Sequence, residues 1–63
     1  MLTTRETEIL TLIARKGFTN AEVGAAIGCT EKTVKVHVGN LFTKMNVTNR
    51  VRMVLKFHGL LEQ

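Results

Sequence analysis

The stretch TNAEVGAAIGCTEKTVKVHVGNLFTKM, from Thr19 to Met45, decides the fold. It begins with a T-x-x-E pair, Thr19 and Glu22, in which a cap hydroxyl and a reaching carboxylate satisfy open backbone donors reciprocally. Phe18 before the cap and Val23 after it have the spacing of a hydrophobic staple. The helix so begun stops at Gly28, a residue suited to the left-handed conformation, and turns Val23, Ala26 and Ile27 inward. Gly24 in its middle costs about 1 kcal/mol of propensity against alanine. Either the close approach of another backbone or plain tolerance accounts for it. Thr30 caps a second, longer helix that runs to about Met45.

Projected at about 100° per residue, that longer helix has three faces. Val34, Val38, Leu41 and Met45 fall together and face a core, with Phe42 at the edge. Lys32, Val36, Gly39 and Thr43 fall opposite, with Lys35 on their shoulder. Thr33, His37, Asn40 and Lys44 line the remaining flank. Only Glu31, at the start, brings an acid to the helix, whereas solvated helices usually mix both signs for pairing along a face.

Outward from this pair the helix signals continue. Thr3 and Glu6 form another capping box, followed by the apolar stripe Ile9, Leu10 and Ile13 and a stop at Gly17, so a first helix spans about 4–16. Asn46 is suited to end the third helix, and Thr48 to cap a fourth whose Val51, Val54 and Leu55 face inward until Gly59. On this fourth helix Met53 and Phe57 remain as a second apolar pair, four apart and without an internal duty, and so fit a small symmetric contact. The expected fold is all-α, a four-helix bundle containing a helix-turn-helix, in one domain over 1–63.

Composition narrows the class. With 63 residues the chain buries only about 60 % of its unfolded surface, a modest core. Its single cysteine, Cys29, excludes an intrachain disulfide and a multi-cysteine zinc cluster. No apolar run approaches the roughly 20 residues of a membrane span, and the first residues lack the order of a signal peptide. The expectation is a reduced, cytoplasmic domain. The formal charge of +4 is unevenly spread. Residues 1–31 set Arg5, Arg15 and Lys16 against Glu6, Glu8, Glu22 and Glu31, a net −1. Residues 32–56 hold Lys32, Lys35, Lys44, Arg50, Arg52 and Lys56 with no acid. So one-sided a half-chain favours a polyanion, either nucleic acid or an acidic membrane surface, over a merely solvated basic face.

A short helix, a glycine-containing break and a longer helix are the parts of a helix-turn-helix, whose second helix enters the DNA major groove. Val36 on the outward face has no packing reason to be there; in a groove it meets a thymine methyl, and Lys35 beside it reaches guanine acceptors. An isolated surface valine is the competing explanation. Together Leu2-Thr3-x-Arg5-Glu6, Gly17-x-Thr19-Asn20-x-Glu22, Thr30-Glu31-x-Thr33-Val34-Lys35-x-His37 and Asn49-Arg50 resemble the LuxR-type helix-turn-helix domain over nearly the whole chain.

That resemblance implies sequence-specific binding of duplex DNA for transcriptional regulation, as a homodimer through the helix at about 49–58, with RNA polymerase as a further partner. It puts Lys35 and Val36 at base-reading positions, and Thr19, Asn20, Thr30, Lys32, Thr33, His37, Asn40 and Lys44 near phosphates. For Thr19, Asn20 and Thr30 the physics concurs, because helix N-termini present free N–H donors. Two positions depart from the family pattern. Gly39 stands where several members carry a long polar side chain, so one base contact is missing, and Thr4 replaces a common proline.

Other residues have plainer roles. Cys29 reads as a small buried hydrophobe plugging the turn. His37 and His58 lack companions at metal spacing; a phosphate suits the first, packing or a helix end the second. Arg50 is expected to pair with Glu6 of the first helix. No catalytic constellation, phosphate loop, metal site or cofactor motif is present, so an enzyme is not expected. Two rival readings stay open: a helix-turn-helix that meets an acidic protein, and a sigma-factor-like domain that binds promoter DNA only within polymerase.

Overall fold

The computed structural model describes residues 1–61, and in it each helix starts where a side chain can close the first turn. Helix α1 spans Thr4–Lys16, α2 Asn20–Ile27, α3 Glu31–Met45 and α4 Arg50–Phe57, with no strand among the described residues. Thr3 Oγ1 accepts the Glu6 N–H at 3.1 Å while the Thr3 N–H donates to Glu6 Oε1 at 2.8 Å. Thr19 and Glu22 repeat the exchange at 3.2 and 2.8 Å. Thr30 caps α3 by accepting the Thr33 N–H at 3.1 Å. Gly17, Gly28 and Asn46 end the first three helices with φ of +67°, +76° and +56°.

Helix α4 is capped by Asn49, not by Thr48, through a 2.8 Å bond from the Arg52 N–H to Asn49 Oδ1. Asparagine outranks threonine at this position.

The core collects Ile9, Leu10 and Ile13 of α1, Val23 of α2, Val34, Val38 and Leu41 of α3, Val47 of the α3–α4 connection, and Met53 of α4. The inward face of α3 is the one expected, with Met45 and Phe42 half-buried against it. Ala26, expected inward, is exposed, and α2 buries only Val23 and Gly24. Gly24 is glycine because of a close approach. A Cβ there would lie 2.5 Å from the Cys29 carbonyl oxygen and 3.3 Å from Thr30 C. The turn is therefore pressed flat on α2, with the Cys29 N–H bonded to Gly24 O at 2.9 Å and Cys29 half-buried against the core.

The orientation of α4 departs most from expectation. Met53 is fully buried, whereas Val51, expected inward, is 69 % exposed. Met53 is therefore no contact for a partner. Phe57 also has an internal duty: it is half-buried, edge-on to the His58 ring at 5.1 Å, with the Arg15 guanidinium 5.5 Å from its centroid. Polar anchors explain the rotation. Arg50 and Lys56 reach back from α4, Arg50 to the entry of α2 and Lys56 to the Met45 carbonyl at the end of α3. The face carrying Arg50, Met53, Val54 and Phe57 thus turns inward, with the unbranched methionine filling the gap between helices. His58 does meet a helix end, its Nε2 lying 3.2 Å from the Ala14 carbonyl oxygen.

Candidate nucleic-acid interface

The polar face of α3 is open. Lys32, Thr33, Lys35, Val36, Gly39 and Asn40 are exposed, Val36 to 60 %, and His37 on the flank is half-buried. The same α3 turns that bury Val34, Val38 and Leu41 therefore hold these side chains outward. Among the described residues the ion pairs are Arg5–Glu8 and Lys44–Glu6. Lys32 and Lys35 thus carry charges with no described carboxylate against them, which leaves their field directed outward.

Around this face the hydroxyls and one amide are pre-set by their own bonds. Thr30 Oγ1 donates to Thr33 Oγ1 at 3.0 Å, so the Thr33 hydroxyl is left with its proton to give. Thr19 Oγ1, exposed at the start of α2, accepts from Glu22 N and keeps its proton likewise. Asn20 Oδ1 accepts from Arg50 Nη1 at 2.7 Å, which leaves the amide NH2 of Asn20 as its remaining donor.

Lys44 differs from the other lysines. Its Nζ lies 2.9 Å from Glu6 Oε1, so its charge is largely matched inside the molecule. The pairing expected between Arg50 and Glu6 does not occur: Lys44, in the last turn of α3, occupies the carboxylate at the start of α1. The Glu6 carboxyl is held below its ordinary value, first by the Thr3 backbone N–H and then by Lys44, against an opposing effect of burial. Sequence reasoning missed the tie between Arg50 and Asn20. Its only signal was Asn49-Arg50 standing next to a helix start.

No described helix is long and apolar enough to cross a membrane, and no described group of His, Cys, Asp and Glu could hold a metal ion.

A short helix, a glycine-closed turn packed flat against it, and a longer helix with an open, acid-poor face define a helix-turn-helix domain of the DNA-binding regulators. The comparison with known families agrees: residues 1–57 match the bacterial regulatory proteins of the luxR family, and the chain belongs to that family. It is similar to the response regulator protein VraR of Staphylococcus aureus (strain NCTC 8325 / PS 47), with 51 % identity over 55 residues, 87 % of this chain and 26 % of the relative. The same figures hold for the VraR proteins of Staphylococcus epidermidis and Staphylococcus saprophyticus. The chain spans about a quarter of the length of these curated relatives.

Proposed function

We propose that the domain binds duplex DNA sequence-specifically by laying α3 in the major groove, with Lys35 and Val36 reading base edges. The observation that carries this reading is the exposed valine, flanked by lysines with no carboxylate partner among the described residues, on a helix that buries its other valines. Lys35 reaches guanine acceptors and Val36 a thymine methyl. Thr19, Asn20, Thr30, Lys32, Thr33, His37 and Asn40 position the duplex through its phosphates, and such contacts set register without reading sequence. Lys44 joins them with a reduced share, because Glu6 already neutralises it.

The protein acts as a homodimer on two half-sites through α4. Met53 and Phe57 are replaced in this role by the exposed Val51, which stands at the edge of a groove it lines together with Ile13, Ala14, Phe18, Val54 and Leu55. A knob and a groove on one face suit a two-fold contact. Similarity to response regulators supports a role as the DNA-binding portion of such a protein.

The test is a titration of a labelled duplex, selected from a random pool, at several salt concentrations. The reading requires affinity that falls steeply with salt. Lys32→Ala should lower the logarithmic slope by about 0.9 on specific and random duplex alike. Lys44→Ala should lower it by much less, and Lys35→Ala should relax base preference. Affinity indifferent to salt would favour a protein-interaction module, and binding only in the presence of polymerase would favour a sigma-like role.

A further inference from the structure

We infer that Arg50 is a positioning residue for DNA binding: it holds the Asn20 side chain so that the amide NH2, and not the carbonyl oxygen, is offered to a phosphate. The inference rests on the DNA-binding reading above. Arg50 opens α4, yet its guanidinium spans to the entry of α2. Nη1 donates to Asn20 Oδ1 at 2.7 Å and Nη2 donates to the Phe18 carbonyl at 2.8 Å. These two acceptors flank Thr19, the cap of α2. A planar guanidinium with two nitrogens engaged is fixed in orientation, and it fixes what it grips.

The consequence falls on the other end of the amide. Asn20 Nδ2 has no partner among the described residues, and no described buried side-chain nitrogen or oxygen lacks one, so Nδ2 reaches solvent. A free asparagine amide rotates between two nearly equivalent orientations. One of them would set the carbonyl oxygen against a phosphate, with repulsion between the two acceptors. Arg50 removes that orientation by occupying Oδ1. Arg50 is half-buried, and two of its guanidinium nitrogens are turned to the protein.

The experiment compares wild type, Asn20→Ala, Arg50→Ala and the double variant for binding to one selected duplex across a salt series, in the full chain and at a temperature where circular dichroism shows each folded. Steep salt dependence of the wild type establishes the underlying DNA reading separately. Each single variant should weaken binding about three- to tenfold, the scale of one hydrogen bond. The double variant should be no worse than the weaker single. The salt slope should stay as in wild type in Asn20→Ala, because an amide carries no charge, and should fall by well under about 0.9 in Arg50→Ala, because the guanidinium meets no phosphate directly. A slope lowered by about 0.9 in Arg50→Ala would mean that the guanidinium touches phosphate directly, which overturns the inference. A purely structural arginine would lower the thermal midpoint yet leave Asn20→Ala costing the same factor with or without Arg50, and that also overturns it. Arg50→Lys keeps the charge but loses the planar two-point grip that fixes the amide. Asn20→Ala should cost less in that background than in wild type, which serves as the test should the alanine variant not fold; an undiminished cost there would overturn the inference.

Discussion

Val36 and Val38 lie two residues apart on one helix, yet Val36 is 60 % exposed and Val38 only 5 %. Burial puts them in opposite surroundings. Val38→Ala should destabilise the domain by about 2 kcal/mol, for two lost methyl groups and the cavity they leave. Val36→Ala opens no cavity and should move stability by no more than about 0.5 kcal/mol. Its cost should appear in DNA binding at one A·T position. Replacing that thymine by uracil should cost the wild type a similar factor, and the two losses should not add, because both delete one contact. Duplex titrations of both proteins on both DNAs check this; additive losses would place Val36 away from the methyl. This division is legible in the sequence, since a helix of 15 residues with Val34, Val38 and Leu41 in phase leaves little freedom in its projection. Gly24 was half legible. Its cost in a helix was visible, but the Cys29 carbonyl that a methyl would strike belongs to a turn whose path only the fold supplies.

At the scale of elements, the caps carried the reading: three helices start and stop where Thr3, Thr19, Thr30, Gly17, Gly28 and Asn46 indicate. Helix α4 was misread because its eight residues contain apolar side chains on more than one side. Val51, Val54 and Leu55 make as plausible a stripe as Met53 and Phe57, and the choice falls to Arg50 and Lys56, whose acceptors lie elsewhere in the chain. The contact between α1 and α3 through Glu6 leads to a pH prediction. The Thr3 N–H and Lys44 both favour the ionised carboxylate, so its folded value lies below the unfolded one. The resulting stabilisation is complete above the unfolded glutamate value of about 4.3 and is lost as pH falls through the folded value. Thermal midpoints recorded from about pH 6 down to about pH 2.5 should therefore fall less steeply for Glu6→Gln than for wild type. Lys44→Met should flatten the same window only in part, since the Thr3 N–H is the larger cause. An unchanged acid limb in Glu6→Gln would remove Glu6 from the pH response.

Over the whole molecule, the basic half of the sequence overstates how many cationic side chains are free to reach a partner. Of its six cations, Lys44, Arg50 and Lys56 are engaged with Glu6, with Asn20 and Phe18, and with Met45. Composition cannot register partners that are 38 or 30 positions away. Lys32, Lys35 and Arg52 make no such described contact, and the first two project from α3. With three of these six side chains tied back, the proposed pairing would strengthen binding, because two copies on one duplex add their phosphate contacts. The α4 surface proposed for pairing is itself small. Helix α4 has eight residues, and a stable interface needs about 800 Å² from each partner, so the free protein should sediment as a monomer. On DNA, two half-sites would hold the copies of the proposed dimer close enough for a weak contact to count, as an intramolecular event does. Val51→Glu should then abolish cooperative binding to a two-half-site duplex and spare binding to a single half-site, with little change in thermal midpoint, since Val51 is 69 % exposed. Phe57→Glu should behave differently. It removes a ring packed against the core and below Arg15, so it should lower the thermal midpoint and weaken both duplexes together. If Val51→Glu instead lost affinity equally on both duplexes, the copies would not meet through α4, and each domain would bind its half-site independently.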